Sequence, residues 1–329
     1  MINVALVGMG NIGLLFDYDK LDENKAYSHT KAIYLNKHFD LKYVVDPNKK
    51  NLPFVQDLFP NVNYLDSYTK IDSSKIDVLV IATPTHLHFE VLNFFKNSDI
   101  KLFLVEKPLF YSKNEYENIE PFFKDKIVVN YMRRFQKPFE NLKEHIEKNS
   151  FGDTQKIVLN YVKGLKNNAS HFIDIINFLF DRPKILTSTI LGNSSGFSDD
   201  DLSYDVFIKI EYKKKIIPIH FVSFDHEKYN LIELKLYFEN KVVEFINSEQ
   251  KISYYDINES IEYKGYNFVD KEPSKQDTIS KKLIYNVYEK IYLNLSKNEE
   301  IVSSFDDELA NFRFIEKILE NKEDNKCQY

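Results

Sequence analysis

Two glycines and a third after them, in Gly8-Met9-Gly10-Asn11-Ile12-Gly13, form a G-x-G-x-x-G run that directly follows an apolar segment and opens a helical pattern. Glycines at this spacing permit a tight turn, let backbone approach a pyrophosphate and let a helix pack closely on a strand. Amides at a helix start then meet phosphate charge. Asp46, at the end of the next apolar run in Val44-Val45-Asp46, suits hydrogen bonds to ribose hydroxyls, and its charge repels a 2′-phosphate. This combination points to a dinucleotide, NAD in preference to NADP, although Lys49 and Lys50 soften that preference and NADP is not excluded. The competing reading of Asp46 is a turn carboxylate before Pro47. Asp46 lies 33 residues beyond Gly13, where about 20 is usual. The excess falls at 16–28, which carries Asp17, Asp19, Asp22 and Glu23. That stretch reads equally as a loop over an active site or as a solvated excursion.

Other residues suit anion or proton chemistry. Arg133-Arg134 uses two of only four arginines, at the end of an expected strand, and reads as a substrate clamp for phosphate or carboxylate or as a structural ion pair. His86 and His88 have metal-ligand chemistry but no third ligand nearby, so no metal is expected. Asn167, His171 and Asp174 stand at i, i+4 and i+7, which would place them on one helical stripe beside the apolar stripe Phe172, Ile175, Ile176 and Leu179.

The elements that must hold these residues follow from periodicity. Val4–Val7, Leu41–Val45, Val78–Ala82, Leu102–Val105 and Ile127–Asn130 are short apolar runs of the kind buried on both faces. Helical patterns lie between them, at Lys31–Lys37 and Phe89–Lys96, so βαβ units and a parallel sheet are expected, with ligands at the carboxyl ends of the strands. After about Phe135 the texture changes. One amphipathic helix, Phe139–Lys148, precedes alternating strands at Lys156–Val162, Tyr204–Tyr212, Ile216–Phe224, Leu231–Phe238 and Val242–Ile246. Tyr204, Val206, Ile208, Ile210 and Tyr212 point one way, and Asp205, Lys209 and Glu211 the other, as in a half-solvated antiparallel sheet. Glu239-Asn240 reads as a tight turn, Gly192–Asp201 as a loop, and 306–321 as a final amphipathic helix. The expected fold is α/β: a Rossmann dinucleotide-binding domain at 1–131, then an α+β domain with a largely antiparallel sheet at 132–329 for substrate binding and oligomerisation.

Taken with the glycine run, Thr83-Pro84-Thr85-His86-Leu87-His88, Glu106-Lys107-Pro108, Asn130-Tyr131-Met132-Arg133-Arg134-Phe135 and the segment with His171 and Asp174 make the chain resemble the glucose–fructose oxidoreductase/inositol dehydrogenase (Gfo/Idh/MocA) family over about its first 180 residues. The resemblance implies an NAD(P)-dependent oxidoreductase acting on a CH–OH group of a sugar or nucleotide-sugar. Gly8, Gly10, Asn11, Ile12, Gly13 and Asp46 would bind the cofactor. Thr83 and Pro84 match the turn that lines the nicotinamide ribose, His88 the histidine after it, and Glu106 and Lys107 the motif between cofactor and substrate. Lys107 matches the active-site lysine, His171 the catalytic histidine and Asp174 the carboxylate one turn beyond. To lose hydride a carbinol must shed its hydroxyl proton; an ammonium stabilises the developing alkoxide and a base near neutral pKa takes the proton. Lys107 and His171 suit those two tasks, with Arg133, Arg134, Asn167 and His171 on the substrate. The family usually has aspartate four residues before this histidine, and here Asn167 stands instead. An amide can hydrogen-bond but cannot raise the imidazole pKa by charge. Two alternatives stay open: an NAD-assisted glycoside hydrolase or lyase on the same fold, and a non-catalytic dinucleotide-binding regulator.

Composition narrows the rest. Hydrophobic residues are 43% and charged residues 29%, which excludes disorder and small disulfide scaffolds. A net charge of −6 gives no electrostatic reason to hold nucleic acid or anionic lipid. Apolar runs are too short to span a membrane. With Cys327 the single cysteine, and with Val4–Val7 following Met1 with no basic leader, the chain is expected to be cytoplasmic. A homodimer or homotetramer is implied by the resemblance, through the open face of the second-domain sheet.

Overall fold

The structure, a computed structural model, describes residues 1–18 and 22–324; Asp19 and Cys327 lie outside them. The chain divides into two compact units, Met1–Gln136 with Lys281–Leu309, and Lys137–Ser280 with Ala310 onward. The expected contiguous division at 131/132 does not describe these units, because residues 281–309 return to the first.

In the first unit β1 (Ile2–Val7), β2 (Phe39–Val45), β3 (Asn63–Leu65), β4 (Val78–Ile81), β5 (Leu102–Val105) and β6 (Ile127–Val129) form one parallel sheet in the order β3-β2-β1-β4-β5-β6. Every residue of β4, β5 and β6 is buried, so both faces are covered. Helices α1 (His29–Leu35), α2 (Leu52–Leu58), α3 (His88–Phe95) and α4 (Lys113–Phe123) connect the strands. Ser28 caps α1 by accepting the Lys31 amide, and Ser112 with Glu115 forms a capping box on α4. The strand order reverses between β1 and β4, and a sheet of this kind takes its ligand outside the carboxyl ends at that reversal.

The second unit opens with α5 (Lys137–Glu147), and α6 (Ser170–Leu179) follows its first strand. The strands are β7 (Thr154–Tyr161), β8 (Lys184–Ser198), β9 (Asp201–Tyr212), β10 (Lys215–Ser223), β11 (Glu233–Phe238), β12 (Lys241–Ile246), β13 (Lys251–Glu259), β14 (Asn267–Val269) and β15 (Lys275–Thr278). Their order is β14-β13-β12-β11-β7-β10-β9-β8, with β15 beside β13. The β7–β10 pair is parallel and the other pairs are antiparallel. Tyr204, Val206, Ile208 and Ile210 are buried on one face of β9. Glu239-Asn240 is the turn between β11 and β12. The expected loop at Gly192–Asp201 is mostly strand. Residues 192–198 continue β8 along the sheet edge, with one of the three irregularities of the β8–β9 pairing falling between Ser194 and Ser198, and a Cβ on Gly196 would lie 1.8 Å from the Asp201 carbonyl oxygen. An edge strand draws its stability from its neighbour's backbone and can be small and polar, which is why its composition looks like a loop.

Helix α7 (Leu283–Lys297) returns to the first unit, where Ile284, Val287, Tyr288 and Ile291 join Ala32, Ile33, Val4 and Phe39 in one core. The stretch 16–28 is tied to its start: the Ala26 amide donates to Lys281 O (3.1 Å), and the Ile284 amide to Ala26 O (3.0 Å). The last helix, α8 (Phe305–Asp324), extends the expected 306–321 by a few residues.

Candidate active site

The glycine run leaves β1 through Gly8, whose φ of +106° and whose closeness to Ala82 O (2.6 Å from a built Cβ) both demand glycine. Gly13 is equally constrained, since a Cβ there would lie 2.2 Å from Gly8 O. Gly10 differs: a Cβ on it would meet no protein atom within 4 Å. Packing among the described residues therefore does not require glycine at position 10. The element that follows is not the start of a long helix. It is one π-helical turn, Asn11–Leu15, in which the Leu15 and Phe16 amides reach back five residues to Gly10 and Asn11. The amides of Asn11, Ile12 and Gly13 open this turn, where helical amides have no intrahelical acceptor. Thr30 Oγ1 donates to Gly13 O (2.5 Å), fixing the turn from α1.

Asp46 closes the other side. Its carboxylate accepts the Met9 amide (2.8 Å) and the Asn48 amide (2.9 Å), while Asn51 Nδ2 donates to Met9 O (2.8 Å). Asp46 is thus a turn carboxylate that also braces the glycine loop, and each of its oxygens keeps a further lone pair for a ligand hydroxyl.

Beyond the reversal, Thr83, Glu106 and Asn130 follow the carboxyl ends of β4, β5 and β6, with Pro84 exposed beside Thr83. Thr83 Oγ1 is buried with no hydrogen-bond partner among the described residues. His88 is completely buried: Nε2 lies 2.9 Å from Thr83 O and Nδ1 3.1 Å from Leu109 O. Burial holds its pKa down against these carbonyl contacts. It clasps the turns after β4 and β5 together.

Glu106 Oε1 accepts from His29 Nε2 (3.0 Å) and Asn130 Nδ2 (2.5 Å), and His29 Nδ1 lies 3.2 Å from the Tyr288 hydroxyl. Burial pushes the Glu106 carboxyl up, but the His29 hydrogen bond and charge, the Asn130 amide and nearby Lys107 outweigh it and leave it below the usual carboxylate range. Lys107 follows directly in the chain. The next segment is held from α8, whose buried Glu308 accepts the Leu109 amide (2.9 Å) and the Tyr116 hydroxyl (3.1 Å). Arg133 and Arg134 are both nearly buried. Arg134 Nη1 pairs with Asp307 Oδ1 at 3.0 Å, an ion pair of the kind its structural reading expects.

In the second unit Asn167 lies in a π-helical segment, Gly164–Ala169, that runs into α6. The expected i, i+4, i+7 stripe is therefore broken at its first member, because a π turn advances the chain by more than 3.6 residues per turn. Asp201 fixes this segment by accepting the Lys166 and Asn167 amides (2.8 and 2.9 Å), and a Cβ on Gly164 would strike its carboxylate. Phe172, Ile175, Ile176 and Leu179 are buried as expected, whereas His171 keeps partial exposure. Asp174 points inward: its Oδ1 accepts from Asn311 Nδ2 (2.8 Å), and Asn177 Nδ2 donates to Asn311 Oδ1 (2.8 Å). Sequence reasoning passed over His29, Tyr288, Glu308 and Asp201. His29 sits behind the 16–28 excursion, Tyr288 and Glu308 lie far along the chain, and Asp201 falls at the end of the expected loop.

Residues 2–132 match the family model described as oxidoreductase family, NAD-binding Rossmann fold, GFO_IDH_MocA. No curated relative matches in sequence. Among solved structures, the super-repressor mutant of Gal80p from Saccharomyces cerevisiae is similar at TM-score 0.73 and 15% identity, covering 98% of this chain and 97% of its own. An oxidoreductase from Agrobacterium radiobacter in complex with NAD+, L-tartaric acid and magnesium is similar at 0.72 and 13%, with 98% and 97% covered. A myo-inositol dehydrogenase from Corynebacterium glutamicum is similar at 0.68 and 16%, with 97% and 96% covered. These likenesses are of fold. The cofactor class expected from the glycine run, NAD, is the one the family description names. Over residues 2–132 the chain matches the Gfo/Idh/MocA family of NAD-binding oxidoreductases.

Proposed function

We propose that the protein transfers hydride between NAD and a CH–OH or carbonyl group of a sugar or nucleotide-sugar. The observation that carries this reading is the cradle at the strand-order reversal: Gly10 is open where Gly8 and Gly13 are packed, and the buried Thr83 Oγ1 across the reversal lacks a partner. Bound there, NAD would supply the hydride acceptor or donor. The amides of Asn11, Ile12 and Gly13 would hold its diphosphate, Asp46 the adenosine ribose, and Thr83 with Pro84 the nicotinamide ribose. Lys107 would stabilise alkoxide on the reacting oxygen. His171 would take the hydroxyl proton, with Asn167 and Arg133 contacting substrate. We further propose a cytoplasmic homodimer or homotetramer. Among the described residues no helix is long and apolar enough to cross a membrane.

Lys107→Ala tests the chemistry. Loss of a preorganised charge at a developing oxyanion should cut turnover by about 10²–10³-fold, while NAD binding, followed by fluorescence titration, is retained. Unchanged turnover on a sugar or nucleotide-sugar that the native protein oxidises would overturn the assignment. The second reading is a dinucleotide-binding regulator. Asn167, which lacks the family carboxylate, and the fold likeness to Gal80p favour it. NAD binding without turnover across a substrate screen would select it.

A further inference from the structure

A buried polar chain stands behind Glu106. Tyr288 is completely buried with its hydroxyl 3.2 Å from His29 Nδ1, and His29, also completely buried, donates from Nε2 to Glu106 Oε1. Asn130 Nδ2 donates to the same oxygen. Both donors meet Oε1, which favours the ionised, acceptor-only carboxylate. Glu106 is the member that keeps side-chain exposure, 13% against 0% for His29, and neither bond uses its Oε2. Beside it, Asn130 Oδ1 is buried with no partner among the described residues. Two acceptors, one anionic and one neutral, thus stand at the adjacent ends of β5 and β6.

We propose that Glu106 Oε2 and Asn130 Oδ1 accept the two N–H groups of the nicotinamide carboxamide, with His29 as the positioning residue that holds Glu106 for this contact. The inference rests on the reading that this unit holds NAD. In a sheet of this order the half built on β4–β6 takes the second mononucleotide, which in NAD carries the nicotinamide. A carboxamide NH₂ presents two donors from one atom, one for each of these acceptors, and the burial of Asn130 Oδ1 makes a ligand without donors costly. Tyr288 and His29 fix which oxygen of Glu106 is occupied from behind, and so which one faces the ligand.

The test uses the full-length protein and two dinucleotides, NAD+ and its 3-acetylpyridine analogue, in which a methyl replaces the NH₂. Calorimetric titration of the native protein should show NAD+ bound about 10- to 100-fold tighter than the analogue, as for a hydrogen bond to a charged group. Glu106→Gln and, separately, His29→Phe should shrink that ratio severalfold, and His29→Gln, which restores an N–H donor, should recover part of it. A purely structural role for His29 would weaken both dinucleotides alike and leave the ratio unchanged. Equal affinity of the native protein for both dinucleotides, or an unaltered ratio in Glu106→Gln with thermal unfolding intact, overturns the carboxamide contact while NAD binding stands. Failure of both dinucleotides to bind at millimolar concentration overturns the cofactor reading and this inference with it.

Discussion

At Gly10 the backbone sits at φ −79°, ψ −160°, a conformation open to any residue, and a Cβ would meet no protein atom within 4 Å. Gly8 has φ +106° and a carbonyl 2.6 Å from the built Cβ. The same change therefore has opposite consequences two residues apart. Gly10→Ala should leave unfolding free energy within about 0.5 kcal/mol of native and weaken NAD, because the methyl projects where backbone must approach phosphate. Gly8→Ala should destabilise by at least about 1 kcal/mol, since alanine is strained at positive φ. Urea unfolding and nucleotide titration of the two variants separate these effects; loss of stability in Gly10→Ala with NAD affinity untouched would contradict the assignment of Gly10 to the diphosphate. The glycine spacing was legible in the sequence because Gly8 and Gly13 answer local backbone demands and Gly10 stands at a fixed offset between them. The role of Glu106 was legible only as a motif position, since its partners His29 and Tyr288 stand 77 and 182 residues away along the chain.

The elements were readable wherever a local period decided them. All five apolar runs assigned as parallel strands are strands, and the alternation in β9 correctly gave its buried face. Helix α7 carries its own signal in Ile284, Val287, Tyr288 and Ile291, but periodicity names an apolar face without naming what covers it, so its return to the first unit was hidden. The π segment before α6 was hidden for a different reason. Sequence spacing assumes 3.6 residues per turn, whereas the phase of Asn167 is imposed by Asp201, which takes the Lys166 and Asn167 amides from the far end of the expected loop. Asp201→Ala leaves those two amides without their acceptor, a loss comparable to removing a helix cap, and should cost about 1–2 kcal/mol in urea unfolding. Asp201→Asn keeps one acceptor oxygen and should recover part of it. No change in either variant would show that the segment is held by other contacts.

On the scale of the molecule, stability is bounded on both sides of neutral pH by groups that the two units bury in one protonation state. Glu106 is held below its ordinary range, so its contribution is present at neutral pH and is lost as pH falls through its depressed folded value. The alkaline limit is set by phenols. Tyr116 and Tyr288 in the first unit and Tyr161 in the second are buried, and burial raises all three above their ordinary value of 10.0. Two of them also use their protons: Tyr116 donates to Glu308 and Tyr161 to Tyr204 O (2.9 Å). Above pH 10 the unfolded chain releases these protons while the folded protein retains them. The unfolded state then binds fewer protons, and stability must fall as pH rises. Three such groups give a slope of up to about 4 kcal/mol per pH unit. Urea midpoints measured from pH 8 to 11.5 should be flat on this account up to about pH 10 and drop steeply beyond it. Tyr288→Phe and Tyr161→Phe should each reduce the slope by about 1.4 kcal/mol per pH unit, because phenylalanine has no proton for the unfolded state to lose. A midpoint that stays level past pH 11, or a slope indifferent to both substitutions, would show that these phenols titrate alike in the folded and unfolded states.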